Sequence, residues 1–261
     1  GIAGIVLTVG MAVDANVLFV RPGEATQGGI GAGQGSASSL TLQDAYALLD
    51  ASMAPSVAAV APELSTNGQL VAGRENTFSQ IVGVTPEYEA VRGYTVGSGQ
   101  FITTGQVANR SEVAVLGSQV AEALFGFRDP VGQHLRINGR RFTVVGVLES
   151  RGGSALGNLD NQVLVPITTA YYRLTSQRTS QGGINAGAIN VQLAGSSSMD
   201  DAVQEIATVL RLRHRIAGED DFTISSQEET IETLEETQET FVLFLGAIAG
   251  ISLVVGGIGI M

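Results

Sequence analysis

The sequence predicts a mixed domain of the α+β class, and three observations carry that reading. Strand-like and helix-like segments interleave along the middle of the chain, with no repeat at a fixed period. Hydrophobic residues make up 44% of the 261 residues while aromatics are 5% and Trp is absent, so the core must rest on Val, Ile, Leu and Ala. An Asn138-Gly139 pair sits between two alternating runs, the strongest short signal for a β-hairpin, because both turn residues need positive φ. The length fits one large domain or two small ones.

Residues 1–13 (GIAGIVLTVGMAV) are apolar but too few to span a bilayer, and Asp14 follows. Adding residues 15–20 makes the run long enough at the cost of one interior carboxylate, so a partial transmembrane segment is expected over 1–15. A cleavable signal peptide is the weaker reading, since the basic n-region is missing. Both ends read as truncated: no Met begins the chain, and the last residues lie inside an apolar run.

Residues 16–22 (NVLFVRP) read as a strand and 23–39, rich in Gly and Ser, as a loop. Leu42, Ala45, Leu48 and Leu49 recur at helical spacing over 41–53, with Thr41 as N-cap and Asp44 three residues on. Strands are expected at 57–61, 69–72, 78–84 and 112–116, then a helix at 118–125. The hairpin takes 134–137 and 141–148. A strand at 162–165, a helix at 168–174, a strand at 188–193, a long amphipathic helix at 199–215 and a strand at 222–225 complete the middle.

The C-terminal part differs in kind. Residues 226–240 carry Glu228, Glu229, Glu232, Glu235, Glu236 and Glu239, while Ile231, Leu234, Gln238, Phe241 and Leu245 recur every three or four positions. This predicts an amphipathic stalk helix running into 241–261, which holds no charged residue and reads as a transmembrane helix. The stalk's polar face is acidic, as suits the outer side of a membrane, since cytoplasmic flanks tend to be positive.

Composition removes several function classes. The formal net charge of −11 argues against nucleic acid, which needs a cationic face. Without Cys there is no disulfide, thiolate metal site or Cys nucleophile. Without Lys there is no P-loop and no Schiff base, and residues 23–39 contain no G-x-G-x-x-G. His134 falls in a hairpin strand. His214 lies among Arg211, Arg213 and Arg215, where cations complement a helix C-terminus. Neither makes an H-x-x-x-H pair, and no G-x-S-x-G elbow occurs. The neighbouring carboxylates Asp200-Asp201 and Asp220-Asp221 read as solvated surface. No catalytic residue, metal site or cofactor is expected.

Four stretches resemble the MacB-like periplasmic core domain and the start of its next membrane helix, over about residues 15–261. They are ANVLFVRPG (15–23), GVTPEYEAVRGYTVGSGQFIT (83–103), VAVLGSQVAEALFGFRDPVGQHLRINGRRFTVVGVLESRGG (113–153) and FLGAIAGISLVVGGIGIM (244–261). The resemblance implies a porter-like α+β subdomain built from both ends of 16–225, with a β-rich subdomain inserted at about 105–185 and transmembrane helices on either side. It implies the extracytoplasmic domain of a bacterial inner-membrane ABC-transporter permease that transmits ATP-driven movement for export or efflux. The implied partners are an ABC ATPase domain or subunit, a second permease copy or a related one, membrane lipid, a periplasmic adaptor and an outer-membrane channel.

Residues 1–18 (GIAGIVLTVGMAVDANVL) instead resemble a membrane segment of the SecD/SecF protein-export family. There the matching Asp is membrane-embedded and proton-linked, which would give that role to Asp14; otherwise Asp14 ends the helix at the membrane interface. The two resemblances overlap at ANVL, as in a chimera, and the export pattern is lost beyond it. Three functions therefore compete: a motion-transmitting transporter domain, a proton-driven export subunit resting on 1–18 alone, and a secreted hydrolase, against which the missing nucleophile–base signatures argue.

Overall fold

The computed structural model describes residues 17–27, 30–34, 39–154, 157–175, 183–195, 198–216, 218–226 and 241. The chain divides into two compact units, Gly1–Ile224 and Ser225–Met261. Asp14 and nearly all of the expected stalk and C-terminal membrane helix lie outside the described residues. Among the described residues no helix is long and apolar enough to cross a membrane.

In chain order the elements are strand β1 (Val17–Pro22), a hairpin of β2 (Glu24–Gln27) and β3 (Ile30–Gln34), helix α1 (Leu42–Ala47), the long strands β4 (Val57–Ala72) and β5 (Glu75–Val84), α2 (Tyr88–Val91), β6 (Val96–Gly99) and α3 (Thr104–Ala108). Then come β7 (Val113–Leu116), α4 (Ser118–Phe125), β8 (His134–Ile137), β9 (Arg140–Leu148), the short pair β10 (Gly153–Ser154) and β11 (Gly157–Asn158), and β12 (Gln162–Pro166). The three-residue helix α5 (Ile167–Thr169) continues as a π-helical turn, Ala170–Leu174, before β13 (Ala188–Leu193), α6 (Met199–His214) and β14 (Phe222–Ser226).

Ten strands form one mixed sheet in the order β14-β1-β13-β4-β5-β12-β7-β9-β6, with β8 pairing both β4 and β9. Strands from 105–185 enter the same sheet as those on either side of them. The pairs β12 with β5 and β7 with β9 are parallel, and the other β4, β8, β9 and β13 ladders are antiparallel.

Alternation along β1 separates two apolar clusters. Val17 and Phe19 point into a large one with Leu64, Ile81, Leu116, Phe142 and Val163; Leu18 and Val20 point into a smaller one. The smaller cluster is roofed by α1 and α6. Ala202, Ile206, Val209 and Leu210 make the buried stripe of α6, at the three-and-four spacing of an amphipathic helix. Its first turn holds Asp200 and Asp201 and its last turn Arg211, Arg213 and His214, the charge order that the helix dipole favours.

Several expectations change. The 23–39 segment contains the β2–β3 hairpin and is not simply a loop. The strands expected at 57–61 and 69–72 are one strand of 16 residues, because the polar stretch Ser65-Thr66-Asn67-Gly68 still pairs in register with β5. Helix 41–53 ends at Ala47 and passes into turns. Elements α2, β6 and α3 leave no signal in the sequence pattern, each being too short to set up a period. The helix expected at 168–174 widens into a π turn. The hairpin holds as expected: Asn138 has φ 48° and Gly139 φ 82°, the mirror-image turn that matches strand twist.

Candidate functional site

Charged side chains gather where the ends of β1 and β14 meet α1 and α6. The Gly23 N–H donates to Asp221 O at 2.8 Å, so the end of β1 meets the start of β14. Those neighbouring strands therefore run antiparallel, which puts the start of β1 beside the end of β14. Only glycine fits at position 23, since a Cβ would lie 2.9 Å from the Asp221 carbonyl carbon. The Ser39 hydroxyl donates to the same Asp221 carbonyl at 2.8 Å.

Asp44 organises the helix side of this junction. It completes a capping box: its Oδ2 accepts from Thr41 Oγ1 at 2.6 Å and Thr41 N at 2.9 Å, and the Thr41 hydroxyl caps the Asp44 N–H. Its other oxygen accepts from Arg213 Nε at 2.7 Å, from α6. The next residue, His214, is almost enclosed. Its Nδ1 lies 2.8 Å from Asp221 Oδ1, and since a carboxylate only accepts, Nδ1 carries the proton. Its Nε2 lies 3.3 Å from Asp44 Oδ2 without a hydrogen bond. Burial pushes the Asp44 carboxyl up, yet the hydrogen bonds from Thr41 and Arg213 and the charge of His214 outweigh it, leaving the group below its ordinary range. Arg211 grips Asp220 with two bonds, 2.7 and 2.6 Å, which lowers that carboxyl as well.

A second polar group lies on the opposite face of the sheet. Asn190 of β13 donates to Ala61 O at 2.9 Å and to Glu63 Oε2 at 3.2 Å. Glu63 bonds the Tyr88 side chain, which also bonds Arg92. Tyr88 stacks on Tyr94 at 5.7 Å, and Gln162 donates to the Tyr94 hydroxyl at 2.6 Å. The Arg92 guanidinium covers Phe19 of β1 at 5.1 Å. Burial, and next the charge of Glu63, push the Tyr88 hydroxyl well above its ordinary range, so it stays a neutral donor.

These groups tie elements together; what they offer is fixed geometry between β1, β4, β13, β14 and the helices over them. The carboxylates Asp220 and Asp221, read as solvated surface, are a correction: each holds a residue at the end of α6. Asp200 and Asp201 are exposed, as expected. His134 stands exposed on β8, within reach of Thr143 Oγ1 at 3.2 Å. The sequence showed the Thr41–Asp44 cap but not its partners, because Arg213 lies 169 residues away.

A family model described as the MacB-like periplasmic core domain matches residues 2–209. The chain belongs to that family. Among curated relatives named "Macrolide export ATP-binding/permease protein MacB", one from Rhodospirillum rubrum is 36% identical over 259 residues, 98% of this chain and 37% of the relative. One from Bdellovibrio bacteriovorus is 30% identical over 250 residues, 95% of this chain and 37% of the relative. The MacB-like chain thus spans little more than a third of the length of such relatives. Two crystal structures share its fold. The periplasmic region of MacB from Actinobacillus actinomycetemcomitans has a TM-score of 0.69 at 22% identity, covering 87% of this chain and 97% of that one. The extracellular domain of the noncanonic ABC-type transporter YknZ from Gram-positive bacteria has a TM-score of 0.63 at 18% identity, covering 81% and 100%. The family match starts at residue 2, so this MacB-like domain includes nearly all of the stretch that resembles the SecD/SecF segment.

Proposed function

We propose that this MacB-like domain is the extracytoplasmic working part of an ABC-transporter permease, passing ATP-driven movement outward for export. The family match over residues 2–209 carries the reading. The antiparallel neighbours β1 and β14 support it: the first and last strands of the sheet lie side by side, so movement passed to either reaches the other directly. In this reading residues 226–240 form a stalk helix continuous with a membrane helix at 241–261. No Pro or Gly breaks the apolar spacing before Gly246. Residues 16–225 form the core, with 105–185 as its inserted β-rich part. An ATPase domain or subunit on the cytoplasmic side supplies the energy, and the permease works as a dimer with an adaptor and an outer-membrane channel.

The test is an insertion of Gly-Gly-Ser-Gly near Thr237 in the full-length transporter. Flexible, poor helix formers there interrupt the path of force. ATP turnover is expected to survive while export of a macrolide, the cargo in the relatives' name, collapses. Export at the parent rate would show that the stalk is only a tether.

A further inference from the structure

At the side of the sheet away from α1 and α6, two adjoining hollows open where the β4–β5 turn meets β8 and β9. One, of about 340 Å³, is lined by Val71, Gly73, His134, Leu135, Arg136 and Arg141. The other, of about 440 Å³, shares Gly73 and His134 and adds Arg74, Glu75, Arg128 and Gln133 among its walls. Four arginines thus face one carboxylate, Glu75, in a chain of net charge −11.

These arginines have no internal use that would account for them. Arg136 and Arg141 are direct cross-strand partners in the β8–β9 ladder, and like charges placed so are destabilising. Among the described residues, neither their side chains nor that of Arg74 form an ion pair or a hydrogen bond, and the Arg128 side chain only donates to the carbonyl three residues before it, Phe125 O, at 3.3 Å. The apolar partners of the ladder, Leu135, Ile137 and Phe142, are buried beneath, so the cationic side chains keep to the outer face. At the turn, Gly73 has φ 63° and a Cβ there would meet nothing within 4 Å, so the floor between the hollows stays open.

We infer that the two hollows are a binding site for a ligand carrying two or more oxyanion groups, phosphate, sulfate or carboxylate, one for each hollow. Guanidinium forks match such groups with paired N–H donors, and one anion between Arg136 and Arg141 turns a repulsion into two attractions. Two recessed hollows fit a compact ligand better than an extended acidic polypeptide. The site is independent of the export reading.

The test uses the full 261-residue chain in detergent at low salt, titrated calorimetrically with inorganic pyrophosphate. Saturable binding that weakens as NaCl rises is expected. Arg136→Gln and Arg141→Gln should each weaken it about tenfold, the worth of one charged hydrogen bond. Both variants should unfold at a urea midpoint no lower than the parent's, since each removes a like-charge contact. Arg173→Gln, at the Arg173–Glu112 pair, should leave binding unchanged. A parallel arm measures sedimentation with phosphatidylcholine vesicles containing phosphatidic acid. Vesicle binding that pyrophosphate displaces assigns the anion to a lipid headgroup, and pyrophosphate binding without it assigns a soluble ligand. No binding in either arm, or binding by the two arginine variants as tight as the parent's, overturns the site. Binding of polyglutamate with no response to pyrophosphate overturns it in favour of a protein partner.

Discussion

The arginines of α6 and those of the β8–β9 hairpin live in opposite circumstances. Arg211 and Arg213 each hold a carboxylate at 2.7 Å or closer, and His214 beside them faces Asp44, which Arg213 holds, and one more, Asp221. Arg136 and Arg141 face each other and, among the described residues, hold no carboxylate. The same side-chain chemistry therefore does two jobs: at one side of the sheet charge is consumed inside the fold, and at the other it is presented outward. Substitutions on the first side should cost stability, whereas substitutions on the second should cost none.

The largest effect is expected at Asp44. Replacing it with Ala removes the α1 cap and leaves Arg213 and His214 short of an anion. A fully buried pair broken this way costs about 3–5 kcal/mol; because Arg213 is 38% exposed, about 2–4 kcal/mol is expected here. A urea midpoint within error of the parent's would mean that the junction is not cohesive.

Next is Gly139→Val at the hairpin tip. A Cβ there meets nothing within 4 Å, so the cost is purely that of holding a β-branched residue at φ 82°, about 1–2 kcal/mol. Equilibrium urea unfolding checks it, and an unchanged midpoint would show that the turn is not the one described.

Acid sharpens the contrast in a third way. The Asp44 carboxyl lies below its ordinary value when folded, so its stabilising share is complete above the unfolded-chain value of about 4 and is lost as pH falls through the lowered folded value. Unfolding midpoints followed from pH 6 downward should drop in that acid window, and Asp44→Asn should make the drop shallower. An equally steep fall in the variant would move the acid sensitivity elsewhere. The smallest effect belongs to Arg211→Gln. Its pair with Asp220 is well formed but solvated, so the loss should be slight and should shrink further as salt is added.

What the sequence disclosed follows the range of the interaction that fixes each feature. Asn138-Gly139 and the Thr41–Asp44 cap are local, three residues across or fewer, and both stand as read. The buried stripe of α6 is periodic, and it too was legible. Strand β4 was not, because Asn67 and Gly68 look like a break; Gly68 is in fact kept small by the Asn138 side chain, which would sit 2.6 Å from a Cβ and which accepts from Gln69 N at 3.0 Å. His214 was read as serving only the helix dipole, since nothing local announces Asp44. The basic hollows were invisible for the same reason: Arg74, Arg128, Arg136 and Arg141 are scattered until β8 pairs with both β4 and β9.

Strand β4 is about three times the usual length of five or six residues. At about 3.3 Å per residue its 16 residues extend roughly 50 Å. Its first half is laced to β13 beneath the helix roof, and its second half to β8 at the floor of the arginine hollows. An extended chain held by ladders on its flanks is nearly inextensible along its axis. It acts as a drawn wire: a pull applied near Val57 is felt at Val71 without loss of travel, and a ligand that stiffened the far end would be sensed at the near one.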